Sequence, residues 1–285
     1  MIKELWKTLK SYWPLFKSLQ TLLLTVTGVA GFMTARCPIH DWSIMVGLIF
    51  SLLTSIAGST VLNMWYDRDI DHLMNRTHHR PLVQGQLSKK AALRLGIALS
   101  LLGVGTGALL SPLYSLILFA GILFDFAIYT IWLKRRTCWA ILWGGIAGGM
   151  PILAGRALGM GMLDPIGILL AISILFWIPT HILTFSIRYA GDYAAARIPT
   201  FPSAYGVDTT RKIIAFSTVV AAALILSAGI LIGIEQGFLH LLGLLSGALV
   251  LLTLYMLLRP SQKANFGLFK FASVYMLAAM LLLAI

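Results

Sequence analysis

The sequence predicts an all-α, polytopic membrane protein of nine spans, on three observations. Hydrophobic residues make up 59% of 285 and the mean hydropathy is +0.88, while charged residues reach only 11%, too few to cover a water-facing surface. Apolar runs of about 20 residues, the length that crosses a bilayer as a helix, recur along the whole chain. Strand-type alternation is absent, and backbone groups in lipid must pair within their own segment, which leaves helices. The runs place spans at 16–35, 43–62, 92–110, 113–133, 139–158, 165–187, 213–234, 238–258 and 266–285, with no room for a soluble domain between them.

Ahead of the first span, "MIKELWKTLKSYWPLFK" is amphipathic and no small-residue cleavage site follows, so it reads as an interfacial helix feeding that span. The net charge of +12 would point to nucleic acid in a soluble protein, but its distribution has another meaning. Of 22 Lys and Arg, all but Arg36 and Arg156 fall at the N-terminus or in the loops after spans two, four, six and eight. By the positive-inside rule that side is cytoplasmic and the C-terminus external. No nucleic-acid partner is expected; the bilayer is the partner. Cys37 and Cys138 then lie near opposite faces, which argues against a disulfide between them. Connections on the external side are short and nearly uncharged, such as "LLSPLY" at 109–114. The polar residues gather after spans two and six.

The connection after span two contains "NMWYDRDIDHLMNRTHHRP". Asp67, Asp69 and Asp71 are three of only ten acidic residues in the chain. Asn63, Asp67 and Asp71 are spaced i, i+4, i+8, so a continuing helix makes them one stripe with about 40° of drift per step. Asp69 points the other way, with Arg68 beside it as a partner. Two carboxylates and an amide on one helix edge suit Mg²⁺, which takes one or two carboxylates and completes its shell with waters and phosphate oxygens. A helix end merely solvated by Asp would explain one acid, but not three in five positions. Arg76 and Arg80 follow at once, and guanidinium forks beside acids are what a metal-bridged pyrophosphate requires. His78 and His79 are adjacent, do not face one site on a helix, and read as loop histidines.

After span four, "YTIWLKRRTCW" brings Lys134, Arg135 and Arg136 to the same face, as a positive-inside anchor or, for one or two of them, as phosphate ligands. In span five, "GGIAGGMP" reads as close helix packing and not as a nucleotide loop. After span six comes "PTHILTFSIRYAGDYAAARIPTFP". His181, Arg188 and Asp192 fall at i, i+7 and i+11, one face of a continuous helix, with His181 about 16 Å deeper than Asp192. An ion pair between Arg188 and Asp192 is the alternative. Asp71 and Asp192 are 121 residues apart, which hints at two related four-helix halves plus a ninth helix.

These residues resemble the UbiA-type superfamily of intramembrane prenyltransferases, over essentially the whole chain. The resemblance implies a single domain over 1–285, with the helices around a central cavity open to the cytoplasmic side. It also implies two polar motifs facing each other across that cavity, holding Mg²⁺ and an isoprenyl pyrophosphate. Asn63, Asp67 and Asp71 match its NxxxDxxxD motif in full and become metal ligands with Asp192. Arg76, Arg80, Lys134, Arg135, Arg188, Tyr129, Tyr189 and His181 become substrate-binding residues. Within the superfamily the chain looks most like the branch that farnesylates protohaem IX. The D-x-D-x-D run with "MNRTHHRP", "YTIWLKRRT" and "RYAGDYAAARIPTFP" carry that likeness, and His181 matches a histidine common in it. The chain departs from the branch at Thr200-Phe201-Pro202, where Met-Leu-Pro is usual, and at Gly155-Arg156, where Gly-Trp is usual. The departures leave an aromatic ring or a lipid alcohol as rival acceptors. A cation-coupled transporter is the rival from another class, but its acids would sit at mid-membrane in broken helices. The implied location is the plasma membrane, with the active site in the cytoplasm.

Overall fold

A computed structural model of the chain describes residues 12–36 and 42–285. Most of the expected interfacial helix and Cys37 lie outside the described residues; Cys138 is a free, buried thiol. Nine helices among the described residues are long and apolar enough to cross a membrane. They run Trp13–Met33, Trp42–Asp71, Lys89–Leu110, Pro112–Leu133, Ala140–Met160, Pro165–Arg188, Val207–Ile232, Gln236–Leu258 and Gln262–Ala284, here spans one to nine. No strand occurs among the described residues. Outward-facing side chains such as Leu109 and Leu244 are 87% and 72% exposed. An apolar surface of that kind is tolerated in lipid and not in water.

Span two runs on as a helix beyond the expected 43–62 to Asp71. It therefore carries Asn63, Asp67 and Asp71 out of the bilayer on one rigid edge. The span lies along span three at close range, because Gly58 and Gly103 leave room for Ser100 and Ser55. Span five crosses span one just as closely: a Cβ at Gly155 would overlap the carbonyl oxygen of Gly28. Gly145, Gly148 and Gly149 of the same span meet Leu175, Ile178 and Ala171 of span six, the packing role expected of them. One apolar core joins spans five to nine, and a second joins spans one, two, four and five.

Span four changes winding midway. From Pro112 to Ile122 it is an α-helix, and from Leu123 to Leu133 a π-helix, whose hydrogen bonds reach five residues back. Span six ends at Arg188: Tyr189 leaves helical geometry at φ −105° and ψ 29°, and a separate short helix, Ala190–Ala195, follows. The expected single helix face through His181, Arg188 and Asp192 is thus broken before it reaches Asp192.

On the face opposite the polar loops, Arg156 occupies the position where the resemblance leads one to expect Trp. It is buried and forked onto Asp164, with Nε 2.9 Å from Oδ1 and Nη2 2.7 Å from Oδ2. Its Nη1 donates to the Thr34 carbonyl at 2.7 Å, and Asp164 Oδ1 accepts from Gly167 N–H at the start of span six. One guanidinium so ties the ends of spans one and five to the start of span six. Arg36 on that face donates to the Ile285 carbonyl, which places the end of span nine beside the end of span one.

Candidate active site

A cavity of about 1150 Å³ runs into the bundle from the polar-loop face. Its mouth is charged: Asn63, Asp67 and Asp71 from span two, Arg76, His79 and Arg80 from the following turns, and Lys134 at the end of span four all line it. The helical stripe expected along span two is present, with Asp67 and Asp71 buried and Asp69 exposed on the other side. Deeper in, the wall turns apolar and aromatic, with Trp177, Phe185, Phe269 and Met280 among its residues.

Each mouth acid has a partner within the protein. Lys134 Nζ donates to Asp67 Oδ2, and Arg80 Nη1 to Asp71 Oδ2 at 2.5 Å. Burial pushes the Lys134 ammonium down, but the Asp67 carboxylate beside it, with Tyr129, more than offsets that and holds it above the ordinary lysine range. Arg76 stacks on Phe185 at 4.9 Å and on Tyr189 at 5.8 Å, and its buried Nε has no hydrogen-bond partner among the described residues. Asp67 Oδ1 is likewise buried without a hydrogen bond from any described residue, with Arg135 3.6 Å away. An open carboxylate oxygen, a second carboxylate one turn on and the Asn63 amide form a hard-oxygen donor set that fits Mg²⁺.

Several expectations need correction. Asp192 does not join Asp67 and Asp71 in one cluster, and no metal-holding group of three His, Cys, Asp or Glu side chains gathers among the described residues. Its oxygens instead accept from the backbone N–H groups of Asn75, at 3.3 Å, and Arg76, at 3.1 Å. It thereby latches the second polar segment onto the first. Arg188 lies over the Phe266 ring at 3.9 Å and pairs with no carboxylate among the described residues, because the helix break turns Asp192 away from it. Arg135 forks onto Asp69 at 2.6 and 2.7 Å, which makes Arg135, and not Arg68, the partner of that acid. Arg68 bends back to the Trp65 carbonyl. Arg135, Arg188, Tyr189 and Asp192 are not among the described residues lining the cavity, whereas Tyr129 and His181 are. His181 is held between Trp177 and Phe269, at ring-centre distances of 5.0 and 4.6 Å, with Nδ1 3.1 Å from Ser273 Oγ.

Two charged residues at the cavity escaped the sequence reading. Lys17 enters from span one, on a backbone held at φ 40°. Asp125 enters from span four. An acid inside the apolar run "GILFDFAIYTIWL" was a signal in itself. On an α-helix, however, Asp125 and Lys134 would stand about two and a half turns apart, on opposite faces. The π winding brings Asp125, Tyr129, Thr130 and Lys134 to one wall.

Residues 23–281 match the sequence model of the UbiA prenyltransferase family. The chain belongs to that family. Its similar relatives include three proteins named protoheme IX farnesyltransferase. The one from Korarchaeum cryptofilum is 40% identical over 72% of this chain and 69% of its own. The one from Archaeoglobus fulgidus is 36% identical over 82% and 81%, and that from Desulforudis audaxviator 31% over 94% and 86%. Among solved structures, a digeranylgeranylglyceryl phosphate synthase superposes with a TM-score of 0.80 over 98% of both chains, at 19% identity. A UbiA homologue from Archaeoglobus fulgidus bound to GPP and Mg²⁺ gives 0.69 over 96% and 100%, at 18% identity. At that identity the likeness concerns the fold. The chain is an integral membrane prenyltransferase of UbiA architecture.

Proposed function

We propose that the protein transfers a farnesyl group from its pyrophosphate to the vinyl group of protohaem IX, with Mg²⁺ as cofactor. The observation that carries the reading is the cavity itself. A mouth of paired acids and cations sits over an apolar, aromatic shaft, the shape of a diphosphate head joined to a prenyl tail. The relatives named for this reaction supply the acceptor. We read the chain as one domain of two four-helix halves plus a ninth helix. In support, the most extensive packing in each half joins corresponding spans, two with three and six with seven.

Mg²⁺ bound at Asn63, Asp67 and Asp71 would share phosphate oxygens and take up the charge of the leaving pyrophosphate. Lys134 and Arg80, which pair with these acids in the structure, would turn to the phosphate oxygens of the substrate. Arg76 already presents a guanidinium without a carboxylate partner among the described residues. Asp192 would join the ligand set by leaving the backbone of Asn75 and Arg76; Arg135, Arg188 and Tyr189 support the mouth from behind. The allylic cation meets the faces of Tyr129 and Phe185, where aromatic rings stabilise positive charge and dry walls delay water. The vinyl group attacks its C1, and one water adds to the resulting cation with loss of a proton, giving a hydroxyethylfarnesyl side chain.

His181 is the residue to test for the acceptor. It lies about 10 Å inside the end of span six, and its Nδ1 is engaged by Ser273, which leaves Nε2 for the haem iron. His181→Ala is expected to shift the optical spectrum of bound haem and lower haem-dependent turnover. Mg²⁺-dependent binding of farnesyl pyrophosphate should stay within about twofold of wild type, since the diphosphate is held elsewhere. An unchanged haem spectrum with unchanged activity would strip His181 of that role. Failure of the wild-type protein to bind haem would shift the acceptor to an aromatic ring or lipid alcohol.

We also propose that the protein sits in the plasma membrane with its N-terminus and active site cytoplasmic. The Lys and Arg asymmetry between the two faces supports this. Reporter tags at the N-terminus and in the 63–94 connection should report cytoplasm, and a tag after Ile285 the exterior. A cytoplasmic signal from the last tag would refute the orientation.

A further inference from the structure

Asp125 differs from the other two cavity-lining acids. Among the described residues it has no cation within ion-pair distance, and its partners are neutral. Its Oδ2 accepts from Ser59 Oγ at 2.6 Å and from Asn63 Nδ2 at 2.7 Å. A carboxylate oxygen offers lone pairs and no proton, so it attracts the amide NH₂ and repels the amide oxygen, and the Asn63 carboxamide keeps its NH₂ toward Asp125. The other end of that amide is only lightly engaged. Thr130 has one hydroxyl proton for two acceptors, Asn63 Oδ1 at 2.9 Å and the Asp125 carbonyl at 2.8 Å. An amide oxygen with two lone pairs therefore has at least one to spare.

We propose that Asp125 is a positioning residue: it locks the Asn63 carboxamide in the orientation that offers Oδ1, and not NH₂, to the cation held by Asp67 and Asp71. A free carboxamide can turn over, and in half of its orientations it would present a donor to Mg²⁺, which needs an oxygen. The lock comes from span four, not from the aspartate motif, and it depends on the π winding that turns Asp125 inward. This inference rests on the proposed role of Asn63 as a metal ligand.

The test is a double-mutant cycle on cation binding. The quantity measured is the Mg²⁺ concentration at half-maximal binding of farnesyl pyrophosphate, alongside the metal-free melting temperature in detergent. Asp125→Asn keeps size and shape but lets the two amides pair either way round. It should raise the Mg²⁺ half-point about ten- to a hundredfold, as loss of an outer-shell partner does. Asp125→Ala should give the same shift and serves if Asp125→Asn does not fold. In an Asn63→Ala background neither change should add to the loss, because the residue being positioned is gone. An unchanged half-point in the Asp125 variants, or an equal further loss in the Asn63→Ala background, overturns the proposal. Absence of Mg²⁺-dependent binding in the wild-type protein is a different failure, because it overturns the proposed function itself.

Discussion

Asp67→Asn and Asp71→Asn are each expected to lower kcat by about a thousandfold or more, with the protein still folded in detergent. Removing one preorganised group that stabilises developing charge costs on the order of a hundred- to a thousandfold. Here each change also weakens the cation on which the rest of the charge stabilisation depends. Asn keeps the shape and one acceptor oxygen but loses the charge that faces Lys134 or Arg80. Asp69→Asn is the control two residues from each. Its side chain is 57% exposed and paired with Arg135 on the outer face, where solvent screens the interaction. It should retain most of the activity. Steady-state turnover with a melting curve for each variant decides the matter. If Asp69→Asn proves as damaging as Asp67→Asn, the stripe of span two is not the catalytic edge.

The largest effect on stability is expected on the other face of the membrane. Arg156→Met leaves Asp164 buried without its partner, and breaking a buried ion pair from one side costs about 3–5 kcal/mol. The thermal midpoint in detergent should fall accordingly, while turnover per folded molecule stays near wild type because the cavity mouth lies across the bilayer. Arg156→Met combined with Asp164→Asn should recover much of the loss, since the uncompensated charge is then gone and the cap on span six is kept. A double variant no more stable than the single one would mean that the tie to Thr34, not the charge pair, carries the stability. Burial pushes the Asp164 carboxyl up, but the Arg156 hydrogen bonds outweigh it and hold the group below the ordinary carboxylate range. A depressed folded-state value means this contribution is complete above about pH 4, the unperturbed carboxylate value, and is lost as pH falls through the folded one.

The nine spans were legible because each is a long apolar run, and lipid leaves such a run few alternatives to a helix. The stripe of Asn63, Asp67 and Asp71 was legible because span two keeps one α-helical period to its end. What could not be read depends on departures from that period. The break at Tyr189 uncouples Asp192 from Arg188, and nothing in "IRYAGDY" breaks a helix as Pro would. The π winding of span four realigns Asp125 with Lys134, and no residue type signals it. The pairing of Arg135 with Asp69 joins positions 66 apart in the chain, which local spacing cannot reveal.

The π-wound stretch has one further consequence, for what happens when residues are removed. In an ordinary helix, losing one residue rotates everything beyond it by about 100° and misaligns a packed face. Span four already holds more residues per turn than an α-helix over Leu123–Leu133. Deleting two of its lipid-facing members, such as Ile131 and Trp132, would let the segment relax into ordinary winding with every backbone bond kept. Seven α-helical steps from Asp125 to Lys134 then turn about 700°, close to two full turns, so Lys134 stays on the face of Asp125. In most of the bundle such a deletion destroys the scaffold; in this stretch it should spare both the fold and the wall of the cavity.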